Sequence, residues 1–189
     1  MATRASSKIT ILLATIGLAL IKTPLSAELS VPLPAVSVCR SEISFVYASP
    51  ELWRYLRQGL NYLESPKPLL PPETVPPRYI HPDSRGFGPY GFSPEAYSDV
   101  RRLYPFFKDH PWSELMASSR LYDLANQAFA DMLLKNLQDY IPSGASRREI
   151  FSVLQQAWNL GLSGFKKGGK VVPSRSRRAE EFLSSPFLG

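Results

Sequence analysis

Asn61-Tyr-Leu-Glu64-Ser65 and Ser84-Arg-Gly-Phe-Gly88-Pro89-Tyr90-Gly91-Phe92 are the two stretches whose reading decides the fold. The first ends a helix. Ser49-Pro50-Glu51 opens that helix, with Ser as the cap, Pro in the first turn and an acid at the positive end of the helix dipole. Trp53, Leu56, Leu60 and Leu63 then recur at helical spacing and form one apolar face. Glu64 falls where that face ends, and Pro66 stops the helix. A rigid element therefore carries a carboxylate up to the edge of a loop. Such a placement favours partial desolvation, which raises the pKa of a carboxyl toward the range a general acid needs. By itself, a lone Glu at a helix end reads equally well as a solvated terminus. The second stretch is a turn in which Gly86, Gly88 and Gly91 alternate with Phe87, Tyr90 and Phe92. Glycines allow the tight turn and the close approach of backbone. No apolar strand precedes them, so they are not a dinucleotide fingerprint.

Outward from these two stretches the chain predicts helices. The loop from Pro66 to Asp83 is long for a compact domain. Its acids, Glu73 and Asp83, read as solvated loop residues, with a second-carboxylate role as the alternative. Ser93-Pro94-Glu95 starts another helix, whose apolar face holds Ala96, Tyr97, Val100, Leu103 and Tyr104. A short helix is expected over Trp112 to Met116. Leu121 to Tyr140 is the longest candidate and reads as the central helix, with Asn126 on or near its apolar face and in need of hydrogen-bond partners. Ser146-Arg-Arg-Glu149 is a capping box, and Ala157, Trp158 and Asn159 lead to a helix end at Gly161. Residues 161–169 read as a glycine-containing loop. Ser174 to Leu183 reads as a last amphipathic helix, with Arg175, Arg177 and Arg178 on its outer face. The fold class expected is mainly α: a single helical domain of five to seven helices with little or no sheet.

Composition bounds the rest. The 189 residues suit one domain with a sizeable core. A hydrophobic fraction of 44% excludes a disordered chain. The prolines cluster in 24–34 and 66–82, marking an arm and a loop. Residues 1–27 read as a signal peptide: Arg4 and Lys8, then an uncharged run from Ile9 to Ile21 too short to span a bilayer comfortably, then Ala27 before the cut. Export to a periplasmic or extracellular space is the expectation, with an uncleaved anchor as the alternative. Residues 28–48 form a Pro-rich arm ending in a β-rich run, and 49–189 form the domain. Cleavage removes three basic residues and no acids, lowering the net charge from +6 to +3. That suits an anionic polymer and falls well short of a nucleic-acid binder's basic stripe. Cys39 is the only cysteine, so no intrachain disulfide and no cysteine metal site are expected. His81 and His110 are far apart, and neither a metal nor another cofactor is expected.

Glu64-Ser65, Gly88-Pro-Tyr-Gly-Phe92, Ala125-Asn126 and Ala157-Trp-Asn159-Leu-Gly161 stand in an order that resembles the lysozyme-like superfamily of muramidases and lytic transglycosylases. In that family a Glu-Ser pair ends a helix, a loop and a glycine turn follow, and an Ala-Asn helix and an Ala-Tyr-Asn-x-Gly segment come later. The resemblance covers roughly residues 50–183. Two positions depart from it: Gly91 replaces the usual Gln, and Trp158 the usual Tyr.

The resemblance implies a lysozyme-like fold and cleavage of the bond between N-acetylmuramic acid and N-acetylglucosamine in peptidoglycan. It implies Glu64 as the catalytic acid, with Ser65 beside it and Tyr90 and Asn159 lining the groove. It implies glycan strands as the partner, and one Glu acting as acid and then base, as in a lytic transglycosylase. A hydrolytic muramidase and a wall-binding protein that keeps the fold without turnover are the alternatives. An unrelated exported helical interaction protein is a further one, and would leave the ordered motifs as coincidence.

Overall fold

The computed structural model describes residues 43–64, 71–81 and 86–185, all within one compact unit. Residues 1–27 and Cys39, together with Ser65 and Asp83, lie outside the described residues. Six α-helices carry the fold: α1 (Pro50–Glu64), α2 (Pro94–Leu103), α3 (Trp112–Ala117), α4 (Ser119–Asn136), α5 (Arg147–Lys166) and α6 (Pro173–Ser184). No strand occurs among the described residues. Two isolated bridges, Ile80 with Phe87 and Phe87 with Phe92, close the glycine turn. The mainly α expectation holds. The β-rich run Ile43 to Tyr47 forms no strand; the arm is held by side chains instead, and a strand without a partner has no ladder to stabilise it.

The caps act where the sequence places them. Ser49 accepts from the Leu52 N–H and Ser93 caps α2, while Ser118, not named from the sequence, caps α4. Ser146 and Glu149 complete a reciprocal box at the start of α5. In α1 the apolar face Trp53, Leu56, Leu60 and Leu63 is buried, and each fully buried leucine contributes about 1.5–3 kcal/mol. Gly59 lets α1 approach its neighbours: a Cβ there would lie 2.4 Å from the Phe151 ring of α5 and 2.9 Å from the Phe182 ring of α6. This close packing offsets the roughly 1 kcal/mol that Gly costs in a helix interior relative to Ala.

Helix α4 is the central element, packed against α2, α3 and α5 and lined by Ala125, Ala128, Phe129, Ala130, Leu133 and Leu134. Its buried Asp131 holds down the end of the N-terminal arm. Oδ1 accepts from the Tyr47 and Ala48 N–H groups at 2.6 and 2.7 Å, and Oδ2 accepts from the Tyr104 hydroxyl at 2.9 Å. Gln127 adds a bond to the Ala48 carbonyl. Asn126 is fully buried, but its amide donates back to the Tyr122 carbonyl one turn earlier. Asp131 and Gln127, rather than Asn126, tie α4 to the neighbouring segments.

One boundary and one helix face differ from the sequence reading. Helix α5 does not end at Gly161. That residue takes φ +67 and kinks the helix, which resumes and runs to Lys166. Helix α6 turns Arg175 and Arg178 inward, so only Arg177 of the three fits the outer face assigned to them.

Candidate active site around Glu64

The two deciding stretches meet. The glycine turn is fixed from several sides. Within it, Phe87 and Phe92 exchange N–H···O bonds of 2.8 and 2.9 Å, and the Gly88 N–H donates to the Tyr79 carbonyl at 2.7 Å. From α4, the Tyr122 hydroxyl donates to the Phe87 carbonyl at 2.6 Å. From α5, the Trp158 indole N–H donates to the Tyr90 carbonyl at 2.9 Å. Trp158, one of the two residues that depart from the resembled pattern, thus ties α5 to the turn.

The turn delivers Gly91 to the end of α1. Gly91 has φ +63, and a Cβ placed on it would lie 2.7 Å from Glu64 Oε2. The backbone of the turn therefore packs directly on the carboxylate. A side chain at this position would push Glu64 aside and strain a backbone with φ +63, so both the contact and the backbone favour glycine here.

Glu64 is buried, its side chain only 4% exposed. Arg175, from α6, reaches its Oε2 at 3.0 Å. The same guanidinium donates to the Asn159 side-chain oxygen, and the Asn159 amide is held by the Gln155 carbonyl at 2.8 Å. Arg178 donates to the Leu63 carbonyl at 2.7 Å, clamping α6 to the last turn of α1. Burial pushes the Glu64 carboxyl up to about 7, against the opposing pull of Arg175 and then Arg178. Desolvation outweighs the pull of the two guanidiniums because the side chain is almost wholly withdrawn from water.

His81 closes another side of the site. It is 6% exposed, and burial lowers its pKa below the usual imidazole range. Its Nε2 lies 2.5 Å from the Gly88 carbonyl, and a carbonyl only accepts, so Nε2 carries the proton. The imidazole also interacts with the Glu64 backbone, linking the turn to the end of α1.

Of the residues named from sequence, Glu64 and Asn159 are brought together through Arg175. Ser65 lies outside the described residues. Tyr90 is a core residue: its ring is 2% exposed, stacks on Tyr122 at 5.6 Å and meets Trp53 edge-on, and its hydroxyl donates to Asp123. Tyr90 borders a cavity of about 240 Å³ with Arg57, Glu73 and Asp123, whose lining does not include Glu64, and it serves the Glu64 site through its backbone. Arg175 and His81 were missed. For Arg175 a signal was present: residues 175, 178 and 182 share one helical face, and Phe182 is apolar. For His81 none was, since its burial comes from the turn folding over it.

Among the described residues no cluster of three or more His, Cys, Asp or Glu side chains is placed to hold a metal ion, and no helix is long and apolar enough to cross a membrane. No family model, no curated protein and no solved structure matches this chain.

Proposed function

We propose that this protein is a lytic transglycosylase that cleaves the glycosidic bond between N-acetylmuramic acid and N-acetylglucosamine in peptidoglycan, with a lysozyme-like arrangement of its helices. The observation that carries this reading is the Glu64 carboxyl: buried at the end of α1, packed against the glycine turn and raised to about 7. A carboxyl with that pKa is substantially protonated near neutral pH and also accessible as a base. Glu64 donates its proton to the glycosidic oxygen as the C–O bond breaks, so the leaving sugar departs as a neutral alcohol. The Glu64 carboxylate then takes the proton from the sugar's own hydroxyl, whose oxygen bonds to the anomeric carbon and closes an anhydro ring. The carboxyl ends as it began. Asn159 and Ser65 belong to the surroundings of Glu64 in this reading. The substrate partner is the glycan strand, and residues 1–27 export the chain to reach it.

The test is turnover of purified peptidoglycan by the mature protein and by Glu64→Gln. General acid–base help is worth roughly 10²–10⁴-fold, so the variant should release muropeptides more slowly by that factor. Undiminished release would remove Glu64 from the mechanism.

One observation favours a second reading. The Glu64 side chain is 4% exposed and ion-paired to Arg175, the arrangement expected of a carboxylate that holds two helices together. In that case the protein binds the wall polymer without cutting it. Co-sedimentation with peptidoglycan without any released product would select this reading.

A further inference from the structure

Arg175 touches both Glu64 and Asn159, and it comes from α6. Its location is built. Arg178, one turn later, is anchored on the Leu63 carbonyl, and Phe182 packs on Tyr55 and Phe151. Three consecutive inward turns of α6 therefore fix where the Arg175 guanidinium lies. Asn159 is in turn fixed by the Gln155 carbonyl. The guanidinium is planar and presents its donors in a rigid fork, so bonding to two separate oxygens sets its plane. A carboxylate held by such a fork loses rotational freedom about its last torsion.

We propose that Arg175 is the positioning residue of the Glu64 site, forking between the Glu64 carboxylate and the Asn159 side-chain oxygen so that α6 fixes the orientation of the carboxyl and supports its ionised form. This rests on the reading of Glu64 as the acid. A group that acts as acid and then as base passes through a carboxylate midway, and that charge arises in a buried place. Arg175 is the partner that meets it there. Burial holds the proton on before cleavage, and Arg175 stabilises the anion after it.

The charged and titratable groups facing Glu64 from the described elements are few. Helix α6 supplies Arg175 and Arg178, and the His81 imidazole sits against the Glu64 backbone. From α4 the Tyr122 phenol is near enough to feel its charge, but burial keeps that phenol protonated far above neutral pH. Of these, Arg175 makes an ion pair with the carboxylate at 3.0 Å.

The experiment follows the Glu64 side-chain carboxyl by carbon-13 NMR in the full chain from pH 4 to 10, with the signal assigned by its loss in Glu64→Gln. The unaltered protein should titrate near 7. Arg175→Met should move the midpoint upward by about one pH unit or more, the usual effect of removing an opposite charge at contact distance. Arg175→Lys, which keeps the charge and loses the fork, should restore most of that shift. Where turnover is measurable, the fall in activity at high pH should move upward with the same midpoint. A midpoint left in place by Arg175→Met in a folded variant overturns the proposal. Should Arg175→Met not fold, the unaltered chain still decides: the Arg175 guanidinium signals must shift through the Glu64 midpoint, and signals that ignore it overturn the pairing. A chain that titrates as expected but releases no muropeptide keeps Arg175 in this role and removes the enzymatic reading instead.

Discussion

Gly91 and Glu64 constrain each other at the residue scale. Gly91 sits at φ +63, a region costly for a side chain, and its Cα faces the carboxylate with no room for a Cβ. Gly91→Ala should therefore destabilise by more than about 1 kcal/mol, and Gly91→Gln by at least as much, measured by urea unfolding. A neutral Gly91→Gln would mean that the turn stands further from Glu64. Glu64 itself makes stability depend on pH. Its folded pKa is raised from 4.5 to about 7. Below 4.5 the carboxyl is protonated in both states. As pH rises toward 7 the unfolded chain ionises first, so folding loses stability across that window, by at most roughly 3 kcal/mol. The stability of Glu64→Gln relative to the unaltered protein should therefore be higher at pH 8 than at pH 5. Equal differences at the two pH values would show that the carboxyl titrates normally.

At the scale of elements, most of the helices were legible because their signals are local. Ser49-Pro50, Ser93-Pro94 and Ser146 to Glu149 announce starts, and Leu56, Leu60 and Leu63 announce a buried face by spacing alone. What was not legible depends on partners distant in sequence. Gly161 reads as a stop, yet the chain resumes its helix beyond the kink. The β-rich run before Ala48 reads as part of an extended arm lying on the domain, but its anchor, Asp131, lies 84 residues beyond Tyr47 in sequence. That docking gives a prediction. Asp131→Ala removes three hydrogen bonds to its side-chain oxygens, bonds worth about 0.5–1.5 kcal/mol each and not additive. The Tyr47 and Ala48 amides should exchange with solvent far faster in the variant, while amides in the middle of α1 keep their protection. Protection retained at Tyr47 and Ala48 would show that the arm is held by its apolar contacts alone.

For the whole molecule, the sequence held the order of the motifs and the structure supplies their distances. Glu64, Gly91 and Asn159 belong to three separate segments that converge on one site, and α6 completes it with Arg175. The resemblance implies Tyr90 at the groove. Its burial follows from Trp53 and Tyr122 closing on both sides, which no local pattern reveals. The central claim is that this convergence makes Glu64 an acid and then a base acting on a glycan. The most direct test is the mass of what the mature protein releases from purified peptidoglycan, read by mass spectrometry beside Glu64→Gln. The account predicts muropeptides carrying an anhydro ring, one water lighter than hydrolysis products, and their loss in Glu64→Gln. Hydrated products, products that persist in Glu64→Gln, or no product from the unaltered protein would each contradict it.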